Sequence, residues 1–437
     1  MNKKEDFNKI YVLGTGLSSL VSILFLVSKG IKPTVIDIGK KYNSSNYKVP
    51  IFKPYFYRNK IDDVSFFGGL SNVWKGVVKF TTKNEFEELD IDNPEELFKE
   101  LLEYLDNLYF FSNVEVKPNL FELKNINSIN IVIENYLNKF NEMHQSLVMS
   151  SSKQNCEPYN TTYKINDLIK KKKINFIKGK VLSVKSINNE KFIEYLSNDK
   201  LFLETYDYIF CGAGTVSSTK IIKDSLKFLD EPKFKFSQKW LLLSLYREKK
   251  LTNNTFPLYQ GAMAENNKTK IYIQSSLLSQ LLISKFHGFL KKLFTIFLKL
   301  PLFNYISISY ISISEEKKGN SIINKSFFNL KDILSLVNKI NNFQHLFKVF
   351  PIGIKLPKLG GGHFGSTFPF KKKNNLILED KNVVYSDKYG SIKDVENFSV
   401  IDSTTLSNIH VVPPTLNVML HSLNLTKKVY NTILKKN

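Results

Sequence analysis

Three apolar runs near the start of the chain are separated by breaks that contain glycine. The first run ends at Leu13, the second spans residues 20–27, and the third ends at Asp37. Short apolar runs bounded by turn residues are typical of buried strands, whereas the longer middle run favours a helix. The pattern predicts strand, glycine turn, helix and strand, with Gly30 as the residue that ends the helix.

The first glycine turn has the spacing of a dinucleotide-binding fingerprint. One glycine permits the tight turn, a second lets a pyrophosphate approach the backbone, and a small residue lets the helix pack on the strand. Asp37 follows Gly16 by 21 residues, the separation at which an acidic side chain accepts hydrogen bonds from a ribose. The predicted nucleotide contacts here are Gly14, Gly16, Leu17, Ser18, Ser19 and Asp37. An ordinary βαβ unit with a chance pair of glycines is the alternative.

A second glycine segment spans residues 66–76 and contains Trp74, one of only two tryptophans. It is either a plain turn or a loop that lines a ligand, with the indole covering an aromatic ring or forming a wall of the pocket. The residues predicted to contact a ligand are Gly68, Gly69, Ser71, Asn72 and Trp74.

A third segment repeats the order of strand, glycine turn and helix. The apolar run that ends at Cys211 leads into Gly212, Ala213 and Gly214. Such a strand can return to the first sheet and place its turn beside the first fingerprint. Cys211 is interpreted as a small buried strand residue, with a reactive thiol as the alternative.

Composition limits the class of protein without identifying its function. The 437 residues predict two or three folded units, and 43% hydrophobic residues exclude intrinsic disorder. A mean hydropathy of −0.18 excludes a polytopic membrane protein. The net charge is +22, but only Arg58 and Arg247 are arginines. We therefore expect no nucleic-acid partner; a lysine surface facing water is favoured over a dedicated anionic partner.

The chain has two cysteines, Cys156 and Cys211, too few for a disulfide framework or a metal cage. The sequence predicts no metal site and a reducing compartment, with the cytoplasm as the default. The polar start of the chain leads directly into the first strand, so that apolar stretch is interpreted as fold rather than as a signal peptide.

The fourth glycine segment, residues 360–367, is followed by Asp402 and by the run Pro414-Thr415-Leu416. With this segment the chain resembles the glucose-methanol-choline type of flavin-dependent oxidoreductases, since all four segments match that family in order. The resemblance covers roughly residues 8–80, 175–225 and 355–432.

The resemblance implies FAD as the cofactor, along the first fingerprint and near Asp402, with Thr415 and Leu416 approaching the flavin ring. The remaining residues implied to contact FAD are Val181, Gly212, Ala213 and Gly214. His363 matches the histidine that takes the proton of an alcohol in that family, and a histidine that caps the glycine loop is the alternative.

The chain departs from the family at one active-site position. The family has a histidine or asparagine immediately before its Pro-Thr-Leu turn, and this chain has Pro413. Proline has no side-chain donor or acceptor. His410 and Asn417 are the nearest replacements, and His410 is taken as the second candidate catalytic residue.

The expected fold class is α/β, with an FAD-binding, Rossmann-like, doubly wound domain and a smaller sheet-containing substrate domain. Residues 1–225 form the first part of the FAD domain, with an insertion at about 80–175. Residues 226–350 form the substrate domain, and residues 351–437 complete the FAD domain and the active site. Polar and apolar alternation predicts strands over Thr269–Ser275 and Tyr305–Ser314.

A basic amphipathic helix is predicted over the segment 285–300. Its apolar side chains fall on one helical face, opposite lysines. The helix packs on the substrate domain or lies peripherally on an anionic membrane surface. The lysines make a membrane-spanning helix improbable.

The main functional hypothesis is an FAD-dependent oxidoreductase that acts on the CH–OH group of a small-molecule alcohol or sugar, with an electron acceptor that the sequence leaves unknown. A sugar or glycolipid hydroxyl is a guess from the breadth of the family. The alternatives are a flavoprotein for another redox step, such as C=C reduction, and a flavin-binding, membrane-associated accessory protein without turnover. A dehydrogenase that uses only nicotinamide is the least favoured.

Overall fold

The computed structural model describes most of the two ends of the chain and several strands between them. The described residues are 7–40, 66–72, 74, 76–78, 83–105, 109–112, 121–122, 144–145, 147–150, 158–188, 190–226, 232, 235–236, 239–246, 260–265, 269–277, 306–315, 349–355, 364–370, 383–409 and 413–435.

The strands, in chain order, are β1 Ile10–Leu13, β2 Thr34–Asp37, β3 Val77–Val78, β4 Tyr109–Ser112, β5 Phe121–Glu122, β6 His144–Gln145, β7 Leu147–Ser150, β8 Asn175–Lys178, β9 Lys180–Ile187, β10 Glu190–Ser197, β11 Lys200–Thr205, β12 Tyr208–Cys211, β13 Lys235–Phe236, β14 Lys239–Tyr246, β15 Gln260–Glu265, β16 Thr269–Leu277, β17 Ile306–Glu315, β18 Val349–Lys355, β19 Phe364–Gly365 and β20 Phe398–Val400. The α-helices are α1 Leu17–Ser28, α2 Lys83–Glu87, α3 Pro94–Tyr104, α4 Thr161–Lys170, α5 Thr215–Leu226 and α6 Thr415–Val429. Short 3-10 helices span Gly69–Asn72 and Ser403–Thr405, and a turn of π-helix, Tyr430–Leu434, follows α6.

Local sequence explains where several helices begin and end. The side chain of Asn93 accepts a hydrogen bond from the Glu96 backbone N–H at the start of α3, and Pro94 follows as the first helical residue. The Asn160 side chain caps α4 in the same way. Gly30, at φ +80°, follows the end of α1, as the sequence predicts.

A five-stranded parallel sheet is built from both ends of the chain, in the order β20-β12-β1-β2-β8. Successive residues of β1 enter different cores: Ile10 and Val12 pack with α1, α3 and α6, whereas Tyr11 and Leu13 pack with residues of β9, β10 and α5. Because residues of a strand alternate between faces, this sheet is covered on both sides.

The other described sheets are antiparallel. Strands β9, β10 and β11 form a three-stranded sheet, hereafter the meander, which leads from β8 to β12. A six-stranded sheet has the order β18-β14-β17-β16-β15-β6, and a four-stranded sheet has the order β3-β7-β4-β5. Strands β13 and β19 form a pair.

The expected fold class is confirmed, with a parallel sheet and a separate antiparallel sheet. The strands predicted from alternation are present as β16 and β17. The predicted helix at 285–300 and Cys156 lie outside the described residues. The division into domains at residues 225 and 350 stays a prediction.

Candidate functional site

The first and third glycine turns lie side by side at the carboxyl edge of the parallel sheet. Strands β1 and β12 are parallel neighbours, with Leu13 opposite Cys211. A Cβ atom on Gly14, which has φ +90°, would lie 2.7 Å from the Gly212 carbonyl oxygen. The Ser19 hydroxyl, fully buried, donates to that same oxygen over 2.9 Å. The two turns are therefore packed together through backbone, which only glycine at position 14 allows.

Gly16 gives the sharpest indication that this edge receives a ligand. Its φ is −69°, a value that any residue adopts, and a Cβ atom there would meet no atom of the described residues within 4 Å. Within the described part of the chain, neither backbone conformation nor a neighbouring atom therefore requires glycine at this position. Gly16 also precedes α1 without any side-chain cap, so the first N–H groups of that helix face the same open space.

These observations fit the approach of a pyrophosphate, and with it the predicted FAD. An anion there would meet free backbone donors and the positive end of α1. Leu17 is half-buried beside this edge, and Ser18 is almost completely buried. Gly214, on the neighbouring turn, also has open space at its Cβ position, at φ +88°.

Asp37 ends β2 with both carboxylate oxygens already bonded by the protein. One oxygen accepts from the Thr15 hydroxyl over 2.7 Å, and the other from the Gly39 N–H over 2.8 Å. Burial raises the pKa of Asp37, while these hydrogen bonds act in the opposite direction. A carboxylate has about four lone-pair sites, so Asp37 holds its turn and keeps acceptor capacity for a ribose.

The second glycine segment packs onto the first fingerprint. The Gly68 N–H donates to the Thr15 hydroxyl over 2.7 Å, and a Cβ atom on Gly69 would lie 3.2 Å from the Gly16 Cα. The buried Thr161 hydroxyl donates to the Thr15 carbonyl over 2.8 Å. Sequence reasoning missed both threonines: Thr15 lies inside the fingerprint, but Thr161 belongs to no motif and is 146 residues away.

The polar side chains of this second segment bond mainly within the protein. The Ser71 hydroxyl donates to the Gly68 carbonyl over 2.6 Å, and the Asn72 amide donates to the Gly69 carbonyl over 2.9 Å. Trp74 donates its indole N–H to the Tyr159 carbonyl over 2.8 Å and packs against the hydrophobic core. The three side chains hold the loop in place, and they leave its backbone to face a ligand.

Asp402 joins the third glycine segment to its own turn. Its carboxylate accepts from the Gly214 N–H over 2.9 Å, from the Ser218 hydroxyl over 2.6 Å, and from both the N–H and the hydroxyl of Thr404. Burial raises the pKa of Asp402, and these donors oppose that rise. The residue is 3% exposed, so it positions the two turns from inside the protein.

Cys211 is fully buried, and burial raises the pKa of its thiol to about 12. A thiol of that pKa carries almost no thiolate at neutral pH, which favours the interpretation as a structural strand residue. Ala213, two residues further, is half-buried beside the Gly14 turn.

His363 and His410 lie outside the described residues, but their chain neighbours are placed. A Cβ atom on Gly365 would lie 2.7 Å from the Ile409 Cδ1, so these two residues are in contact. The Ser366 N–H donates to the Ser403 carbonyl over 2.8 Å, next to Asp402. The segments that follow His363 and precede His410 therefore meet beside the Asp402 turn.

Helix α6 brings a second N-terminus to the same region. The Ser422 hydroxyl donates to the Ser18 carbonyl, and Thr426 contacts Ser22, so α6 and α1 run in parallel. From this register, α6 begins at Thr415, further toward the carboxyl edge than α1, and without a side-chain cap.

The remaining residues predicted near α6 differ in exposure. Thr415 is half-buried, whereas Leu416 is buried in the core, so only its backbone can face a ligand. Pro413 and Asn417 are also buried.

Val181 lies on β9, at the end of the sheet where Asp37 is found. The Gly179 N–H donates to the Asp37 carbonyl over 2.8 Å, two residues before Val181. Val181 is half-buried against the core beneath the meander.

The described part of the chain contains neither a metal-binding cluster nor a membrane-spanning helix. No group of three or more His, Cys, Asp or Glu residues there is arranged to hold a metal ion. Among the same residues, no helix has the length and apolar character needed to cross a membrane.

Comparisons with known proteins identify the fold. No family model matches the sequence, and no curated protein matches it. Among solved structures, the chain is similar to pyridoxine 4-oxidase from Mesorbium loti, with a TM-score of 0.61 over 97% of this chain and 99% of that chain, at 11% sequence identity. The chain therefore shares the fold of that oxidase over nearly its whole length, which agrees with the fold expected from the resemblance.

Proposed function

We propose that the protein is an FAD-dependent oxidoreductase that oxidises the CH–OH group of a small alcohol or sugar. The observation that supports this most strongly is Gly16, in a chain with the fold of pyridoxine 4-oxidase. Neither its backbone conformation nor any neighbouring atom of the described residues explains why glycine is needed there. The turns at residues 14–16, 68–69 and 212–214 share one edge with the Asp402 turn, as a long dinucleotide cofactor needs.

In this proposal the chain binds and orients, and the cofactor carries the redox chemistry. The backbone around Gly16 and the start of α1 would hold the pyrophosphate, Asp37 would accept from the ribose, and the Asp402 turn would contact the cofactor between them and the reacting group. Bound FAD would supply the hydride acceptor. The start of α6, at Thr415, would contribute the positive end of its helix dipole.

His363 takes the hydroxyl proton of the alcohol at an imidazole nitrogen. Its ordinary pKa lies near neutrality, which suits a general base. The packing of Gly365 against Ile409 favours a site in which His363 and His410 act together, with His410 orienting the substrate hydroxyl in place of the side chain that Pro413 lacks.

The buried Pro413 is also what favours the second candidate function, a flavoprotein that performs another redox step such as C=C reduction. A third candidate is a flavin-binding accessory protein without turnover. The substrate is proposed at the level of class, a sugar or glycolipid hydroxyl. Pyridoxine joins the test panel because the structurally similar oxidase is named for it.

The test is the visible flavin spectrum of protein reconstituted with FAD, recorded anaerobically before and after each of the panel compounds. The panel holds sugars, a glycolipid, simple alcohols and pyridoxine. Bleaching by one of them supports alcohol oxidation and identifies the substrate class. A flavin spectrum that no alcohol bleaches would contradict alcohol oxidation and favour the other two candidate functions. Absence of flavin binding would contradict all three.

The role of His363 is tested with the variant His363→Asn. The matched control is His287→Asn, because His287 belongs to none of the four glycine segments. We expect His363→Asn to bind FAD and to lose reduction by the alcohol by about 100-fold or more. Unchanged reduction in this variant would exclude His363 as the base.

A further inference from the structure

The meander carries a concentration of exposed apolar side chains. Seven large hydrophobic residues are exposed in the described part of the chain, and five of them belong to β9, β10 and β11. These five are Ile187, Leu196, Leu201, Phe202 and Leu203. Single exposed hydrophobic residues are common on soluble proteins, whereas a cluster indicates an interaction site.

The strand register places three leucines of this cluster on one face. Leu196 pairs directly with Leu201, and Leu203 lies two residues further along β11 on the same side. Leu201 is 60% exposed and Leu203 is 48% exposed. The opposite face, with Tyr195 and Ile193, is buried against the parallel sheet. The leucine face therefore points away from the protein core.

Exposed lysines lie on and near the leucine face. Lys180 pairs directly with Leu196 across the sheet and shares its face. Lys200 begins β11 on the side opposite to Leu201, and Lys178 ends β8 next to Ser197. All three are exposed, and no ion pair involves them within the described residues.

The acidic residues nearby leave these lysines largely uncompensated. Glu194 pairs with Lys185 over 2.7 Å, and Glu204 accepts from two tyrosines on the buried side. Asp199, at the tip of the hairpin, is the remaining exposed acidic residue between β10 and β11.

We propose that the leucine face, defined by Leu196, Leu201 and Leu203, docks on an anionic lipid membrane. Leucines that enter the acyl boundary and lysines that contact acidic headgroups are the two components of peripheral membrane binding. A second copy of the chain fits less well, because both copies carry a net charge of +22 and would present the same lysines to each other. This proposal does not depend on the proposed enzymatic function.

The test is cosedimentation of the full chain with vesicles of phosphatidylserine and phosphatidylcholine, against pure phosphatidylcholine vesicles. We expect binding only to the vesicles that contain phosphatidylserine, and a loss of at least about tenfold in the variant Leu201→Ser with Leu203→Ser. The matched control is Tyr163→Ser, at an apolar residue of α4 that is 72% exposed, and it should bind as the parent does.

A second variant, Lys180→Gln with Lys200→Gln, keeps the proposal testable if the leucine variant misfolds. We expect its binding to fall by roughly tenfold at low salt. The parent failing to bind phosphatidylserine vesicles would overturn the proposal, as would folded leucine and lysine variants that both bind like the parent. So would a dimer in sedimentation velocity that the leucine variant dissociates, since a second copy would then be the occupant.

Discussion

Two glycines separated by one residue have different reasons to be glycine. Gly14 has φ +90°, and a Cβ atom added there would clash with the Gly212 carbonyl. Gly16 has an ordinary φ, and a Cβ atom added there would meet no atom of the described residues. The same substitution at each position therefore separates the needs of the fold from the needs of a ligand.

We expect Gly16→Ala to keep the free energy of unfolding within about 0.5 kcal/mol of the parent. Its FAD affinity should fall by at least about tenfold, because the new methyl group occupies the space of the ligand. Gly14→Ala should lose more than about 2 kcal/mol of stability, from the clash and the backbone strain together. Urea unfolding and FAD titration measure both effects. Equal FAD affinity in Gly16→Ala and the parent would contradict the assignment of Gly16 to the pyrophosphate site.

His421 contributes a pH dependence to stability. It is fully buried on α6, and its Nε2 lies 3.1 Å from the Thr405 hydroxyl. Its Nδ1 has no hydrogen-bond partner among the described residues. Burial, with a smaller contribution from Lys428, lowers the pKa of His421 to about 3. Since the folded pKa lies below the ordinary 6.5, this contribution is complete above about pH 6.5 and is lost as the pH falls.

We expect the free energy of unfolding to fall by about 1.4 kcal/mol per pH unit below pH ~6 from this residue alone. His421→Gln keeps a hydrogen-bonding side chain and does not titrate. The slope of its unfolding free energy against pH should therefore be smaller by the contribution of about one proton. Urea unfolding at a series of pH values gives both slopes. Parallel profiles for the two proteins would show that His421 does not titrate in this way.

At the scale of elements, a seam of hydroxyl groups joins α1 to α6. The Ser22 hydroxyl lies 2.9 Å from that of Ser422 and 2.6 Å from that of Thr426, and all three side chains are completely buried. Small side chains here allow the two helices to pack closely, and each hydroxyl has a partner.

We expect Ser22→Ala to lose about 1 kcal/mol of stability, because its partners keep other hydrogen bonds. Ser22→Leu should lose about 3 kcal/mol, since the larger side chain separates the helices and leaves hydroxyls unbonded. Ser28→Ala, at the exposed end of α1, is the control and should stay within about 0.5 kcal/mol of the parent. Thermal unfolding measures the stability of each variant. If both Ser22 variants were as stable as the control, the seam would not stabilise the packing of α1 against α6.

At the scale of the whole molecule, the candidate site joins segments that are far apart in the chain. The fingerprint at residues 14–16 meets residues 68–69, 161, 212–214 and, through Gly214, Asp402. A ligand that spans these segments binds only the folded state and must therefore stabilise the whole protein.

We expect FAD at about 100 times its dissociation constant to raise the free energy of unfolding by about 2.7 kcal/mol. NAD at the same concentration is the matched control and should leave it unchanged. The measurement is urea unfolding of protein stripped of bound nucleotide. Stabilisation by NAD equal to that by FAD would instead favour the hypothesis of a dehydrogenase that uses only nicotinamide.

Several elements and their chemistry can be predicted from the amino-acid sequence alone. The strand that ends at Leu13, the turn and helix after it, the break at Gly30, and strands β16 and β17 follow from hydrophobic period and glycine position. These features are local, because period and turn geometry depend on residues a few positions apart. The same local signals carried the resemblance to the flavin-dependent family.

Which residues share a site, and what each one does, depends on tertiary packing. Thr161 reaches Thr15 across 146 residues, Asp37 is held by its own turn, and Asp402 joins two turns from within the core. No local pattern records such partners, because long-range hydrogen bonds depend on how sheets and helices pack. The exposed leucine face of the meander was hidden for the same reason, since strand register alone decides which side of a strand meets the core.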